Sequence, residues 1–232
     1  MGWGGRHWVR VLAGLLAVAA GVFGVPDVSI AGAGAPSTLT VTNGADTGPG
    51  SYRQAILDAS AVGGDAVVTF APGLTVTLGS DVAYTGTATL TLVGNGSTLD
   101  GANEHQILAA TNASGLTVAD LTFRNGSDGI NGDGGAIEAT GTLRIERCSF
   151  EANNSAAGGA VRHSDGTATV VSSSFTTNNS SQVGGAISSG AALAITSSTF
   201  TNNSARVGGA ISSGAALTVT DSRFEGNFDS AI

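Results

Sequence analysis

Between Leu116 and the C-terminus, hydrophobic and polar positions recur about every 25 residues, the mark of an array of stacked units. Four stretches set the period: Gly134-Gly135-Ala136-Ile137, Gly158-Gly159-Ala160-Val161, Gly184-Gly185-Ala186-Ile187 and Gly208-Gly209-Ala210-Ile211. Between them runs a second pattern: apolar, x, apolar, x, x, small, x, Phe, x, x, Asn. It reads Leu143, Ile145, Cys148, Phe150, Asn153, then Ala168, Val170, Ser173, Phe175, Asn178. Leu193, Ile195, Ser198, Phe200, Asn203 follow, and then Leu217, Val219, Ser222, Phe224, Asn227. Apolar residues two apart have the period of a strand, and no unit carries a helix-length 3.6-residue pattern. Glycine, serine, threonine and asparagine fill the remainder, as tight turns require. Such a unit matches one coil of a parallel β-helix, each coil about 4.8 Å above the last.

Stacking assigns a task to each recurring residue. Ile137, Val161, Ile187 and Ile211 form one interior column; Leu143, Ala168, Leu193 and Leu217 form a second. Phe150, Phe175, Phe200 and Phe224 form a third, joined by Phe123. The paired glycines suit a corner that needs positive φ or has no room for a Cβ. Asn153, Asn178, Asn203 and Asn227 recur at a turn, where stacked amides bond to the coils above and below and asparagine tolerates the left-handed conformation.

Residues 34–115 follow a different pattern. Thr38 to Thr42 alternates as a strand and Gly48-Pro49-Gly50 reads as a turn. Ser51-Tyr52-Arg53-Gln54 has the form of a capping box, and Tyr52, Ala55, Ile56 and Ala59 then fall at helical spacing. This predicts one short helix near Ser51–Ser60. Ala66–Phe70, Leu74–Leu78 and Ala88–Val93 read as strands. A solenoid end exposes core and backbone edges, so residues 34–65 are expected to cap it, with the first irregular coils in 66–115 and the regular repeats in 116–232. The sequence stops at Ile232, before another Gly-Gly-Ala is due. The last coil is therefore expected to be uncapped, as in a fragment, or to be covered by a partner chain or by self-association.

Composition narrows the function. A net charge of −8 with nine arginines and no lysine argues against nucleic acid, which needs clustered cations. Residues 1–33 have the form of a secretory signal: Arg6, His7 and Arg10, an apolar run from Val11 to Val25, then Ala31-Gly32-Ala33 as a small-x-small cleavage site. The mature part is expected to be secreted or on the cell surface, with no membrane span. The single cysteine, Cys148, excludes a disulfide framework and occupies the rung held by serine in later coils.

Candidate chemistry is sparse. Asp128, Asn131 and Asp133 surround glycines in a loop that could hold Ca²⁺, although two carboxylates without a bidentate glutamate make a weak set. No other cofactor is implied. Arg162-His163-Ser164-Asp165 interrupts a position read elsewhere as Ser-Ser-Gly, and His163 with Asp165 has the composition of an acid–base pair. Glu138 stands one coil before Arg162, where the two would stack as an exposed ion pair. Asp100 and His105 lie close together in an irregular segment.

The combined Gly-Gly-Ala-Ile and Phe-x-x-Asn repeats resemble those of polymorphic outer membrane proteins, which are surface adhesins and autotransporters. Gly50-Ser51-Tyr52-Arg53-Gln54-Ala55 is similar to the start of domains named for a Cys-Ser-Leu-Arg-Glu-Ala signature, matching it at Ser51, Arg53 and Ala55. Both resemblances imply an all-β, single-stranded right-handed parallel β-helix of the pectate-lyase-like superfamily with a short N-terminal capping helix. The C-terminal membrane barrel of the autotransporters has no counterpart in this sequence. The expected function is a non-catalytic surface or adhesin-like scaffold that binds a polysaccharide or a surface protein along a Ser/Thr/Asn-rich face. A polysaccharide lyase or glycoside hydrolase is the alternative, and a spacer for a further domain is a third reading.

Overall fold

The computed structural model describes residues 35–129 and 132–229. The segment 1–33 read as a signal and Asn131 of the loop lie outside them. The described chain is a parallel β-solenoid of about eight turns with one helix. No helix among the described residues is long and apolar enough to cross a membrane.

One coil shows how the repeat becomes structure. Ile187–Ser189 lies in a five-stranded sheet, and Ala192–Thr196 and Thr199–Thr201 lie in a large sheet that bends between them. Ser204–Ala205 lies in a four-stranded sheet, from which the Gly208-Gly209 corner leads to the next coil. Every strand pairs in parallel with its equivalents one repeat away: Phe175 is in register with Phe150 and Phe200, and Val161 with Ile137 and Ile187. Alternate residues turn inward, so Leu193 and Ile195 are buried while Ala192 is exposed.

The interior is built from ladders. Phe123, Phe150, Phe175, Phe200 and Phe224 stack face to face with centroids 4.7–4.9 Å apart, which is the strand spacing itself. The Asn153 Nδ2 donates to Asn178 Oδ1 at 2.9 Å, Asn178 to Asn203 at 2.9 Å and Asn203 to Asn227 at 2.8 Å. Each of these amides also donates to the carbonyl of a phenylalanine, such as Phe150 O for Asn178. The left-handed position is not the ladder asparagine but the residue before it: Ala152, Thr177, Asn202 and Gly226 have φ of 53–60°. The asparagine is selected for its inward amide, not for the turn conformation expected of it.

The two corner glycines separate the tasks expected of them. Gly134, Gly158, Gly184 and Gly208 have φ of 64–68°. At the second position a Cβ would overlap a neighbouring coil's backbone, as at Gly159 against the Gly185 carbonyl.

At the N-terminal end, Ser37–Val41 pairs in parallel with Ala66–Phe70, so this strand is already a rung of the large sheet. The helix Tyr52–Ala61 connects the two. It buries Tyr52, Ala55, Ile56 and Ala59 over the first coils, and the Tyr52 hydroxyl donates to Ile107 O at 3.3 Å. Ser51 Oγ accepts from Gln54 N, but the Gln54 amide turns to Asp58, so only half of the capping box forms. Arg53 donates to Asp46 Oδ1, Ser80 O and Asp81 O, each at 2.7 Å, tying two loops to the helix. The strand read as Ala88–Val93 runs from Leu90 to Asp100, with a register shift after Val93.

Candidate functional site

The bend within the large sheet produces an open concave surface. Its first residue is left-handed in each coil: Asp120, Arg147, Ser172, Ser197 and Asp221 have φ of 50–56°. The next residue points inward and is buried at Leu121, Cys148, Ser173 and Ser198. The one after it, Thr122, Ser149, Ser174 or Thr199, opens outward again. Stacked coil on coil, these triplets line an open groove of about 520 Å³.

The groove floor is held by a second ladder. Ser173 Oγ donates to Val171 O at 2.9 Å and accepts from Cys148 N at 3.1 Å; Ser198 Oγ repeats the arrangement with Thr196 O and Ser173 N. The Cys148 thiol stands in for the serine hydroxyl, donating to Glu146 O at 3.3 Å. Burial pushes this thiol up to about 11, so it stays protonated at neutral pH.

One end of the groove is charged. Arg147 donates from Nε and Nη2 to the two Asp120 oxygens at 2.8 and 2.9 Å, a bidentate pair, and also contacts Glu146. The Arg147 hydrogen bonds hold the Asp120 carboxyl below its usual range; Arg144, then Arg147, do the same for Glu146. The other end is neutral, with Ser172, Ser174, Ser197 and Thr199. Sequence reasoning did not single out these groove residues. The signal was present in the polar residues flanking the small rung position, but the bend that makes them concave depends on a left-handed residue that hydrophobic period does not reveal.

The residues singled out from sequence take other places. Asp128 Oδ2 accepts from Asp133 N at 2.9 Å, closing the loop on itself. Asp133 lies 3.6 Å from Arg162 Nε, and Arg162 Nη1 donates to Ser188 Oγ at 2.7 Å. Glu138 and Arg162 are register partners, yet Arg162 comes within ion-pair distance of Asp133 rather than of the expected Glu138. Burial, then Asp133 and Asp128, raises the Glu138 carboxyl against the opposing pull of Arg162. Asp128 is raised as well, chiefly by burial.

His163 is fully buried in the five-stranded sheet, with Nδ1 3.2 Å from Ser189 Oγ and Nε2 2.9 Å from Gly141 O. Asp165 is exposed and accepts from Gly166 N, so the two residues do not meet in a hydrogen bond. Asp100 accepts from Ala102 N, Arg124 and Asn125, whereas His105 faces Asp81 at 3.6 Å. Among the described residues no group of three or more His, Cys, Asp or Glu side chains is placed to hold a metal ion. Comparison with protein-family models and with curated proteins gives no match for this chain.

Proposed function

We propose that the chain is an exported, non-catalytic β-helix scaffold with an adhesin-like role, acting in secreted form or at the cell surface. In this reading it binds an extended polysaccharide, or an extended segment of a surface protein, along the bend groove. The observation that carries the reading is the groove itself: hydroxyls and one pinned arginine from consecutive coils, aligned in register and open to solvent. A ligand lying along the coils would meet a similar set of hydroxyls at each step of about 4.8 Å. The Arg147 guanidinium is already fixed by Asp120, which lowers the cost of ordering it on binding. The form of residues 1–33 supports export. The Gly-Gly-Ala-Ile and Phe-x-x-Asn repeats, each serving a distinct ladder or corner, support kinship with polymorphic outer membrane protein repeats in the pectate-lyase-like superfamily.

The test is a glycan array followed by calorimetry on any positive glycan. Ser174→Trp and Thr199→Trp fill the groove from partly exposed positions and should weaken binding tenfold or more. Binding that survives both substitutions, or no binding to any glycan or surface protein, sinks the reading.

A second reading, a polysaccharide lyase or glycoside hydrolase of the same superfamily, draws on one observation. Burial raises the carboxyls of Glu138 and Asp128, Glu138 against the pull of Arg162, and a raised carboxyl is what a general acid requires. Release of reducing ends from an acidic polysaccharide, abolished by Glu138→Gln, would select this reading over the first.

A further inference from the structure

The groove lies inside the array, with further coils on both sides of it. At one end the strand Leu90–Asp100 also pairs with Ala66–Phe70 and Thr75–Thr77; at the other, Thr199–Thr201 pairs with Ser174–Thr176 and Arg223–Glu225. Two of the groove hydroxyls have a fixed direction. Ser149 Oγ donates its only proton to Glu151 Oε1 at 2.7 Å, so the 3.0 Å contact between Ser174 and Ser149 carries the Ser174 proton. Both protons run along the wall toward a carboxylate. A hydroxyl oxygen whose proton is committed can only accept, so Ser174 Oγ offers a ligand its lone pairs.

The charges beside this relay share its preference. Arg147 directs three of its five N–H groups to Asp120 and Glu146, and Arg144 binds Glu146 as well. These arginine hydrogen bonds hold both carboxyls below their usual range, so both are ionised at neutral pH. Glu151 adds a third carboxylate, and its register partner Arg124 is bound to Asp100. Three carboxylates thus stand against two guanidiniums, each of which is already matched. An incoming uronate or sulfate would bring acceptors to acceptors and negative charge to a surplus of negative charge. A sugar hydroxyl can instead donate to Ser174 Oγ and to the carboxylates, and accept from the remaining Arg147 N–H groups.

We infer that the groove takes an uncharged, hydroxyl-rich glycan and rejects acidic ones, with Glu151 setting the selectivity through the Ser149–Ser174 relay and the local surplus of negative charge. This inference rests on the reading of the groove as a ligand site and names the class of ligand.

Calorimetry on the full chain tests it with matched pairs: gluco-, galacto- and manno-oligosaccharides, each beside its counterpart oxidised to the uronate at the primary hydroxyl. Wild type should bind a neutral member about tenfold or more tightly than its uronate counterpart at low salt, and the gap should narrow as salt screens the carboxylates. Glu151 is exposed, so Glu151→Gln and Glu151→Lys should match wild type in circular dichroism. Glu151→Gln removes the surplus charge but keeps an acceptor for Ser149, and should shrink the gap about threefold. Glu151→Lys reverses the charge and frees the Ser149 proton, so the uronate should bind at least as tightly as the neutral sugar. A uronate that binds wild type as well as its neutral counterpart, with binding lost in Ser174→Trp, overturns the inference and leaves the groove reading standing. Selectivity that is unchanged in both Glu151 variants does the same. Neutral-glycan binding that survives Ser174→Trp overturns both. No binding by any pair overturns the inference alone if a surface protein still binds in the groove, and both if none does.

Discussion

Asn178 has every hydrogen-bonding group of its side chain engaged. Its Oδ1 accepts from Asn153 N and Nδ2 at 3.1 and 2.9 Å, and its Nδ2 donates to Phe150 O and Asn203 Oδ1. Asn178→Ala leaves buried donors and an acceptor in two neighbouring coils unpaired, so a loss of about 2–3 kcal/mol is expected in urea unfolding. Asn178→Asp keeps the shape but cannot donate and buries a carboxylate beside two acceptors; it should be worse than alanine at pH 7 and recover as the carboxyl protonates. Two acidic residues should shift stability with pH in opposite senses. Burial tends to raise Asp100, but hydrogen bonds from Ala102 N, Asn125 and Arg124 outweigh it and hold its folded pKa below the ordinary value. Its contribution is therefore present above the unfolded pKa of about 3.9 and lost as pH falls through the lower folded value. Glu138 is raised, so its contribution is full below about 4.3 and lost as pH rises through the folded pKa. Glu138→Gln should accordingly raise Tm at pH 7 and leave it nearly unchanged at pH 3, whereas Asp100→Asn should lower Tm at pH 7 and make the protein less sensitive to acid. Equal pH profiles for the two variants would contradict these assignments.

At the scale of the element, the corner between coils shows what sequence can and cannot disclose. The glycine pair marks a corner from its recurrence alone, yet only the folded backbone separates the first glycine, needed for φ, from the second, needed for close approach. Gly159→Ala should cost on the order of 3 kcal/mol or more, because the overlap is with backbone carbonyls that cannot swing aside. Gly214→Ala makes a fair control: its Cβ would meet nothing closer than 3.5 Å and its φ is not positive, so Tm should hold or rise slightly. The regular columns were legible because each rung repeats the same two-residue alternation, and Ala66–Phe70 matched its strand end to end. The helix was legible from Ser51 and the spacing of Tyr52, Ala55, Ile56 and Ala59. Arg53 was not: its three acceptors come from loops with no periodicity, brought together only when the chain folds. The groove stayed hidden for a related reason. Period fixes which residues face inward, but the angle between two consecutive strands depends on single left-handed residues such as Ser172 and Ser197.

For the whole molecule, a solenoid's coils contact only their neighbours, so the effect of one substitution should depend on its place in the stack. Phe175 lies between two stacked rings and is fully buried; Phe175→Ala opens a cavity mid-array and should cost about 3–5 kcal/mol, lowering the Tm of the molecule as a unit. Among the described residues Phe224 stacks on Phe200 alone and is 44% exposed, so Phe224→Ala should cost about 1 kcal/mol and loosen chiefly its own coil. Hydrogen exchange distinguishes the two. Amides of Thr199–Thr201 and the coils below should stay protected in the Phe224 variant, while those of Leu217–Thr220 and Arg223–Glu225 exchange faster. Equal destabilisation by the two phenylalanine variants would mean that the coils do not unfold with the nearest-neighbour logic their ladders imply.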